Sequence, residues 1–150
     1  MFVMVVNRIN LFGAVLANVI NISTISIFIA RLLGEPDIGH WIGILVQLSI
    51  IPLSYLLYSA KPLKRPKIYY IWISLMIVFI IVEFLFDWYP KVDFRDNLTI
   101  IIPYVMLFFG ATGGMIGVAS LAGKRWAVIT VASFLIMAVL AFVQRQVTGM

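Results

Sequence analysis

The chain has no cysteine, one histidine and few charged residues for its length. Without cysteine it forms neither a disulfide nor a thiolate metal site, and it has no thiol nucleophile. His40 is the only histidine, which excludes a metal centre built from several histidines. Only 11% of its 150 residues are charged, against about 25% in a typical soluble domain. Water is therefore not expected to be its main solvent.

Motifs of enzyme chemistry are also missing. The sequence contains no Walker loop, no GxSxG elbow, no HExxH pair and no dinucleotide fingerprint. We therefore expect no cofactor and no resident metal, and an enzyme is a weak hypothesis. The net charge of +5 comes from basic residues placed between apolar runs, so no basic face for nucleic acid is predicted.

Long apolar runs dominate what is present. Hydrophobic residues make up 63% of the chain, and its mean hydropathy is +1.10. The runs are unbroken and about twice the length of a barrel strand of about ten residues, so helices are expected to span the bilayer. The sequence predicts an all-α membrane protein, a bundle of five transmembrane helices with short loops. The whole chain, 1–150, forms one domain, with spans at about 9–32, 41–60, 68–86, 98–121 and 127–143.

Local signals mark helix ends and bends. Gly34 is expected to end the first helix, because glycine readily adopts the left-handed conformation found there. Asn97 is predicted to cap the fourth span, although Asn97-Leu98-Thr99 also matches a glycosylation acceptor. Pro52 and Pro103 each remove a helical hydrogen bond, so bends are expected near both.

Charge separates between alternate loops. Seven of the eleven basic residues fall on one predicted side, namely Arg8, Lys61, Lys64, Arg65, Lys67, Lys124 and Arg125. All six acidic residues fall on or near the other side, which also holds the remaining basic residues, Arg31, Lys91, Arg95 and Arg145. Because cytoplasmic loops carry the Lys/Arg excess, the N-terminus is predicted inside and the C-terminus outside. The chain is thus predicted to be a multi-pass protein of the cell membrane.

Asparagines recur along one face of the first span. Asn18 and Asn21 are its innermost members, and amides facing lipid are costly, so this stripe is expected to face the bundle interior. It either joins helices by hydrogen bonds or lines a hydrated path or ligand cavity. Gln47 in the second span is expected to meet the same stripe.

Glu83 is the most suggestive single residue, since acids inside a span are functional candidates. It lies about one turn inside the third span, and Asp87 follows four residues later on the same helical face. Arg31 is a possible neutralising partner, as are Lys91 and Arg95. His40 is either an interfacial residue or a proton sensor.

Small residues concentrate in the fourth span. Gly110, Gly113 and Gly117 are assigned to close helix packing, since small residues four apart let backbones approach. Five helices enclose little volume, so the active form is expected to be a homo-oligomer or part of a larger membrane complex.

Three functions are compatible with these residues. The leading hypothesis is a transport or channel-type protein, or an accessory subunit of one, that uses Glu83, Asp87, Asn18, Asn21, Gln47, His40 and Arg31. The second is an assembly subunit without catalysis. The third is an intramembrane enzyme on a lipidic substrate, in which acidic residues at the outer face recruit a divalent ion.

The predicted orientation is testable by labelling, because any introduced cysteine is unique in this chain. Lys64→Cys and Asp93→Cys should react with a membrane-impermeant maleimide from opposite sides of the membrane, since one predicted span, 68–86, separates their loops. The measurement compares labelling of intact and lysed cells. Labelling of both positions from the same side would contradict the five-span topology.

Overall fold

A computed structural model describes residues 2–88 and 97–148, with side chains over 2–86 and 97–147. These ranges contain no strand and six helices: α1 (Phe2–Leu32), α2 (Pro36–Leu48), α3 (Ile50–Ala60), α4 (Lys67–Trp88), α5 (Leu98–Ser120) and α6 (Lys124–Thr148). Five stretches are long and apolar enough to cross a membrane, with α2 and α3 counting as one. The predicted all-helical class and the predicted number of such helices are confirmed.

The outer helices extend beyond the apolar runs that predicted them. α1 begins at Phe2 rather than near residue 9, and α6 covers Lys124–Thr148 rather than 127–143. Apolar composition marks the part of a helix that suits hydrocarbon, whereas the helix itself continues as long as its backbone hydrogen bonds do. Polar residues such as Asn7 and Gln146 are therefore helical although they lie outside the predicted spans.

The second predicted span, 41–60, is not one straight helix. It divides at Ser49, between α2 and α3. Pro52 follows three residues later and has no N–H to donate to the carbonyl of Leu48, so the helical ladder is interrupted there. The helix is therefore interrupted close to Pro52, whereas α5 continues as one helix through Pro103. The bends expected at the two prolines stay predictions.

Two helix ends follow their sequence signals. Gly34 has a φ of 77°, and the next residue, Glu35, donates its N–H to the carbonyl of Ala30 at 2.8 Å. This left-handed glycine closes α1 and turns the chain into α2. The side chain of Asn97 accepts a hydrogen bond from the N–H of Thr99 at 3.0 Å, which confirms the predicted cap of α5.

α1 lies at the centre of the bundle, in contact with α2, α5 and α6, while α4 packs on α3 and α5. Its small residues Ala14 and Ala17 are fully buried, which brings the backbones of neighbouring helices close. Long apolar side chains fill the remaining interior, among them Leu53, Met76 and Met115. Consecutive helices such as α4 and α5 run in opposite directions, since Glu83 contacts Tyr104 and Trp72 lies beside Gly117. In contrast, α1 and α6 run in the same direction, since Asn18 contacts Thr130 and Asn21 contacts Ser133.

The glycines of α5 divide into two groups. A Cβ added to Gly117 would lie 2.6 Å from the indole ring of Trp72 in α4, and one added to Gly114 would lie 3.0 Å from it. These two glycines make room for the tryptophan. In contrast, an added Cβ at Gly110 or Gly113 would meet nothing within 4 Å among the described residues.

Gly117→Ala should destabilise the protein, because the new methyl group overlaps a ring that is held between two helices. Overpacking of this kind costs about 1–3 kcal/mol. Gly113→Ala is the matched control, and it should leave stability unchanged or raise it by up to about 1 kcal/mol through helix propensity. Thermal unfolding of the purified variants in detergent measures both effects. Equal stability of the two variants would contradict the close approach of Trp72 to α5.

Candidate functional site

A cavity of about 230 Å³ lies between five helices at one end of the bundle. Its wall is drawn from the last turns of α1, α4 and α6, from the first turns of α5 and from most of α2. Its polar and charged members are Thr24, Arg31, His40, Gln47, Glu83, Tyr104, Gln144 and Arg145. Aromatic side chains make up much of the rest, namely Phe28, Phe79, Phe108, Phe109 and Phe142. No single helix could build this wall, so the site is a property of the packed bundle.

The cavity is open at one end and closed at the other. His40 and Arg145 line it and are exposed at the end where α1 and α6 finish, while Val105 and Phe142 line it and are exposed on the side of the bundle. The cavity is therefore reached from that end and from the side between α5 and α6. From Arg31 down to Thr24 it follows α1 for about 10 Å. Further along the helices the interior is filled, with Leu53 and Met76 fully buried. The shape is therefore a one-ended pocket rather than a continuous channel.

Glu83 lies in the cavity wall and is half-buried. The hydroxyl of Tyr104 on α5 donates a hydrogen bond to its Oε1. The ring of Tyr104 is held by Phe79 and Phe86, with ring centroids 6.0 and 5.8 Å away. The carboxylate is thus oriented by a neighbouring helix through a well-packed aromatic side chain.

Arg31 and Arg145 bring positive charge to the same cavity. Each lies in the last turn of its helix, α1 and α6 respectively, where the negative end of the helix dipole favours a cation. Arg31 is one of three candidates for neutralising Glu83, together with Lys91 and Arg95, and those two lie outside the described residues. Neither guanidinium has a hydrogen-bond or ion-pair partner among the side chains of residues 2–86 and 97–147.

The predicted site residues separate into two groups. Arg31, His40, Gln47 and Glu83 meet in the cavity, although they come from three different helices. Asn18 and Asn21 do not line it, and they are 6% and 0% exposed in the closed part of the bundle. The side chain of Asp87 lies outside the described residues.

Asn18 and Asn21 join α1 to α6. The Nδ2 of Asn18 donates to Thr130 Oγ1 at 2.9 Å, and that of Asn21 donates to Ser133 Oγ at 2.9 Å. The Ser133 hydroxyl in turn donates to Asn18 Oδ1 at 3.3 Å. We call these four residues the polar seam. Its amides bond to hydroxyls of α6 rather than to Gln47, so the helix-joining interpretation describes their contacts.

A second polar contact fastens the opposite end of the bundle. Arg65, in the turn between α3 and α4, donates to Asn10 Oδ1 on α1. Its guanidinium also lies 5.1 Å from the centre of the Tyr69 ring, a cation–π distance. This contact ties the basic turn to the first half of α1, about 24 Å along α4 from Glu83.

The residues described here contain no group of three or more His, Cys, Asp or Glu side chains that could hold a metal ion. The acidic set of the enzyme hypothesis depends on Asp87, Asp93 and Asp96 in addition to Glu83. The side chains of those three residues lie outside the described residues, so the enzyme hypothesis stays a prediction.

Five residues were not predicted as site residues: Tyr104, Gln144 and Arg145 in the cavity, and Thr130 and Ser133 in the seam. A hydroxyl pair three residues apart in the fifth span is a detectable signal for the seam, since it places both groups on one helical face. Tyr104 lies well inside its span, away from the interfacial positions that tyrosine favours. That displacement is its only sequence signal.

Fold and cavity together define an all-helical bundle with five long apolar helices and a one-ended pocket of small-molecule size. Compared with known protein families, curated proteins and solved structures, the chain has no match. Its function must therefore be argued from its own residues.

The polar seam can be tested with a double-mutant cycle of Asn18→Ala and Thr130→Val. The coupling free energy should be about 0.6 kcal/mol and at most about 1.7 kcal/mol, as found for hydrogen bonds between apolar helices. Reversible unfolding of the four proteins gives this value. Ser54→Ala is the control, since the Ser54 hydroxyl is exposed and donates a hydrogen bond within its own helix. A coupling free energy no larger than its experimental error would show that the polar seam does not stabilise the fold.

Proposed function

We propose that this chain is a multi-pass protein of the cell membrane, with the N-terminus in the cytoplasm and the C-terminus outside. Large apolar side chains are exposed midway along the helices, for example Val19 at 50%, Met106 at 70% and Val139 at 61%. Contiguous exposed apolar surface is unfavourable in water and suits a lipid solvent. The bilayer is thus its principal partner.

Charge at the two ends of the bundle supports the proposed orientation. The turn that carries Lys61, Lys64 and Arg65 lies at one end, fastened to α1 by Asn10. Glu35 and Asp37, at the turn between α1 and α2, lie at the other end, beside the cavity. With the basic end in the cytoplasm, the cavity faces outward.

Within that membrane the proposed function is transport of a small molecule or ion, by a carrier that exposes its site to one side at a time. One observation carries it: the charged and polar side chains of five helices converge on a one-ended cavity of about 230 Å³. A packed assembly subunit has no need of such a space. A carrier needs a site that is open to one side while the other side is closed.

The lining chemistry fits this function. Intramembrane acids are common in transport because a change in their protonation can be coupled to movement of a substrate. Glu83 is held in the wall by Tyr104 on another helix, so a change of its charge would alter the contact between α4 and α5. Those two helices are among the most extensively packed pairs of the bundle.

An assembly subunit is the second candidate. It is favoured by Gly110 and Gly113, where the described chain leaves open space beside bare helix backbone. Another helix could approach closely at such a surface. A homo-oligomer built on this face is compatible with transport as well, so oligomerisation alone does not separate the two functions.

Glu83→Gln should slow transport. The carboxamide keeps an acceptor for the Tyr104 hydroxyl but cannot exchange a proton, so proton flux should fall at least about tenfold. The measurement uses proteoliposomes containing a trapped pH-sensitive dye, with flux driven by a potassium diffusion potential. Thermal unfolding should show that the variant folds.

Glu35→Gln is the matched control. The carboxylate of Glu35 is exposed at the same end of the bundle as Glu83, and it does not line the cavity. This variant should leave flux at the wild-type value. Equal flux in both variants would remove Glu83 from the mechanism, and absence of flux from the wild type would favour the assembly function.

A further inference from the structure

We propose that the cavity takes an organic anion, a single acidic group on an apolar body, and that Arg31 and Arg145 bind the acidic group. The proposal rests on the proposed function and names the chemical class of its ligand. It begins from the charges that line the cavity, which are two guanidiniums and one carboxylate among the described residues.

The excess of positive charge selects against a cation. Among the side chains of residues 2–86 and 97–147, Glu83 is the only acidic one that lines the cavity, and its carboxylate already accepts a hydrogen bond from Tyr104. An organic cation would have to bind beside two guanidiniums in an environment less polar than water, where like charges repel strongly. An anion meets attraction instead.

The two arginines offer donors for that anion. A guanidinium binds a carboxylate or phosphate through two parallel hydrogen bonds, which is the strongest such contact a side chain makes. The helix dipole explains why a basic residue ends α1 and another ends α6. It does not explain why both line one cavity without a carboxylate partner among the described residues, whereas binding of an anionic ligand does.

The deeper wall selects an apolar body. Phe28 and Phe79 both pack on Phe108, with ring centroids 6.2 and 5.4 Å away, while Phe109 stacks on Phe142 at 6.4 Å. Apart from Thr24 and Gln47, the lower part of the wall is made of these rings and aliphatic side chains. Transfer of a hydrocarbon chain from water into such a wall is favourable.

Volume limits the size of the ligand. The cavity, at about 230 Å³, lies just below the usual range of about 300–1,000 Å³ for drug-sized ligands. A short-chain acid fits this space. The acyl end of an anionic lipid shares the same chemistry, and because the cavity is reached from the helix ends and from the side between α5 and α6, either source is compatible with it.

The test measures saturable binding of radiolabelled octanoate to the purified protein in nanodiscs of phosphatidylcholine, corrected with empty nanodiscs. Octanoate should bind, and octylammonium of the same chain length should not displace it. Arg31→Gln and Arg145→Gln should each weaken binding about tenfold, which is the loss expected for one charge-assisted contact. Arg125→Gln removes an exposed arginine at the opposite end of α6 and should bind as the wild type does.

A parallel arm uses nanodiscs that contain phosphatidylglycerol and analyses the lipid that remains with the protein after exchange into phosphatidylcholine. Retention of phosphatidylglycerol that both arginine variants lose, without octanoate binding, assigns the same anion site to a lipid. Displacement of octanoate by octylammonium, or equal binding by all three arginine variants, would overturn the proposal. If that result is obtained but Glu83-dependent flux is still measured, the proposed transport function stands without this ligand. If octanoate binds but no flux is measured, the ligand class stands and the transport function fails.

Discussion

The hydrogen bonds between α1 and α6 are the contact around which the bundle is arranged. Amides inside an apolar bundle must find partners, because no water is available to replace them. The amide nitrogens of Asn18 and Asn21 find them in Thr130 and Ser133. This choice turns α1 so that Ala14 and Ala17 face the interior on the same side, and the neighbouring helices can then pack closely on it.

The closed polar seam and the open cavity both result from the side chains that α1 turns toward the bundle interior. Along α1 the inward face changes from small residues and amides to Thr24, Phe28 and Arg31. Small side chains let helices approach, while a phenylalanine and an arginine hold them apart. The bundle is therefore tight where α1 is small and leaves space where α1 is large, which places the cavity at one end only.

Small residues do not by themselves reveal which helix they face. The glycine spacing in α5 predicts close packing, yet Gly114 and Gly117 receive Trp72 while Gly110 and Gly113 meet open space. The difference is a matter of rotation about the α5 axis. That rotation is set by the shape of the indole on α4, a bulky side chain whose position depends on the packing of the whole bundle.

The sequence alone determined the helices and their approximate order, because hydrocarbon-length apolar runs and residues at helix boundaries, such as Gly34 and Asn97, act locally. It also indicated Glu83, Arg31, His40 and Gln47, because polar groups inside apolar runs are costly wherever they lie. Which of them share a space was decided only by the tertiary structure. Tyr104 meets Glu83, and Asn18 turns to Thr130 instead of Gln47, because residues far apart in the chain become neighbours only through helix rotation and side-chain shape.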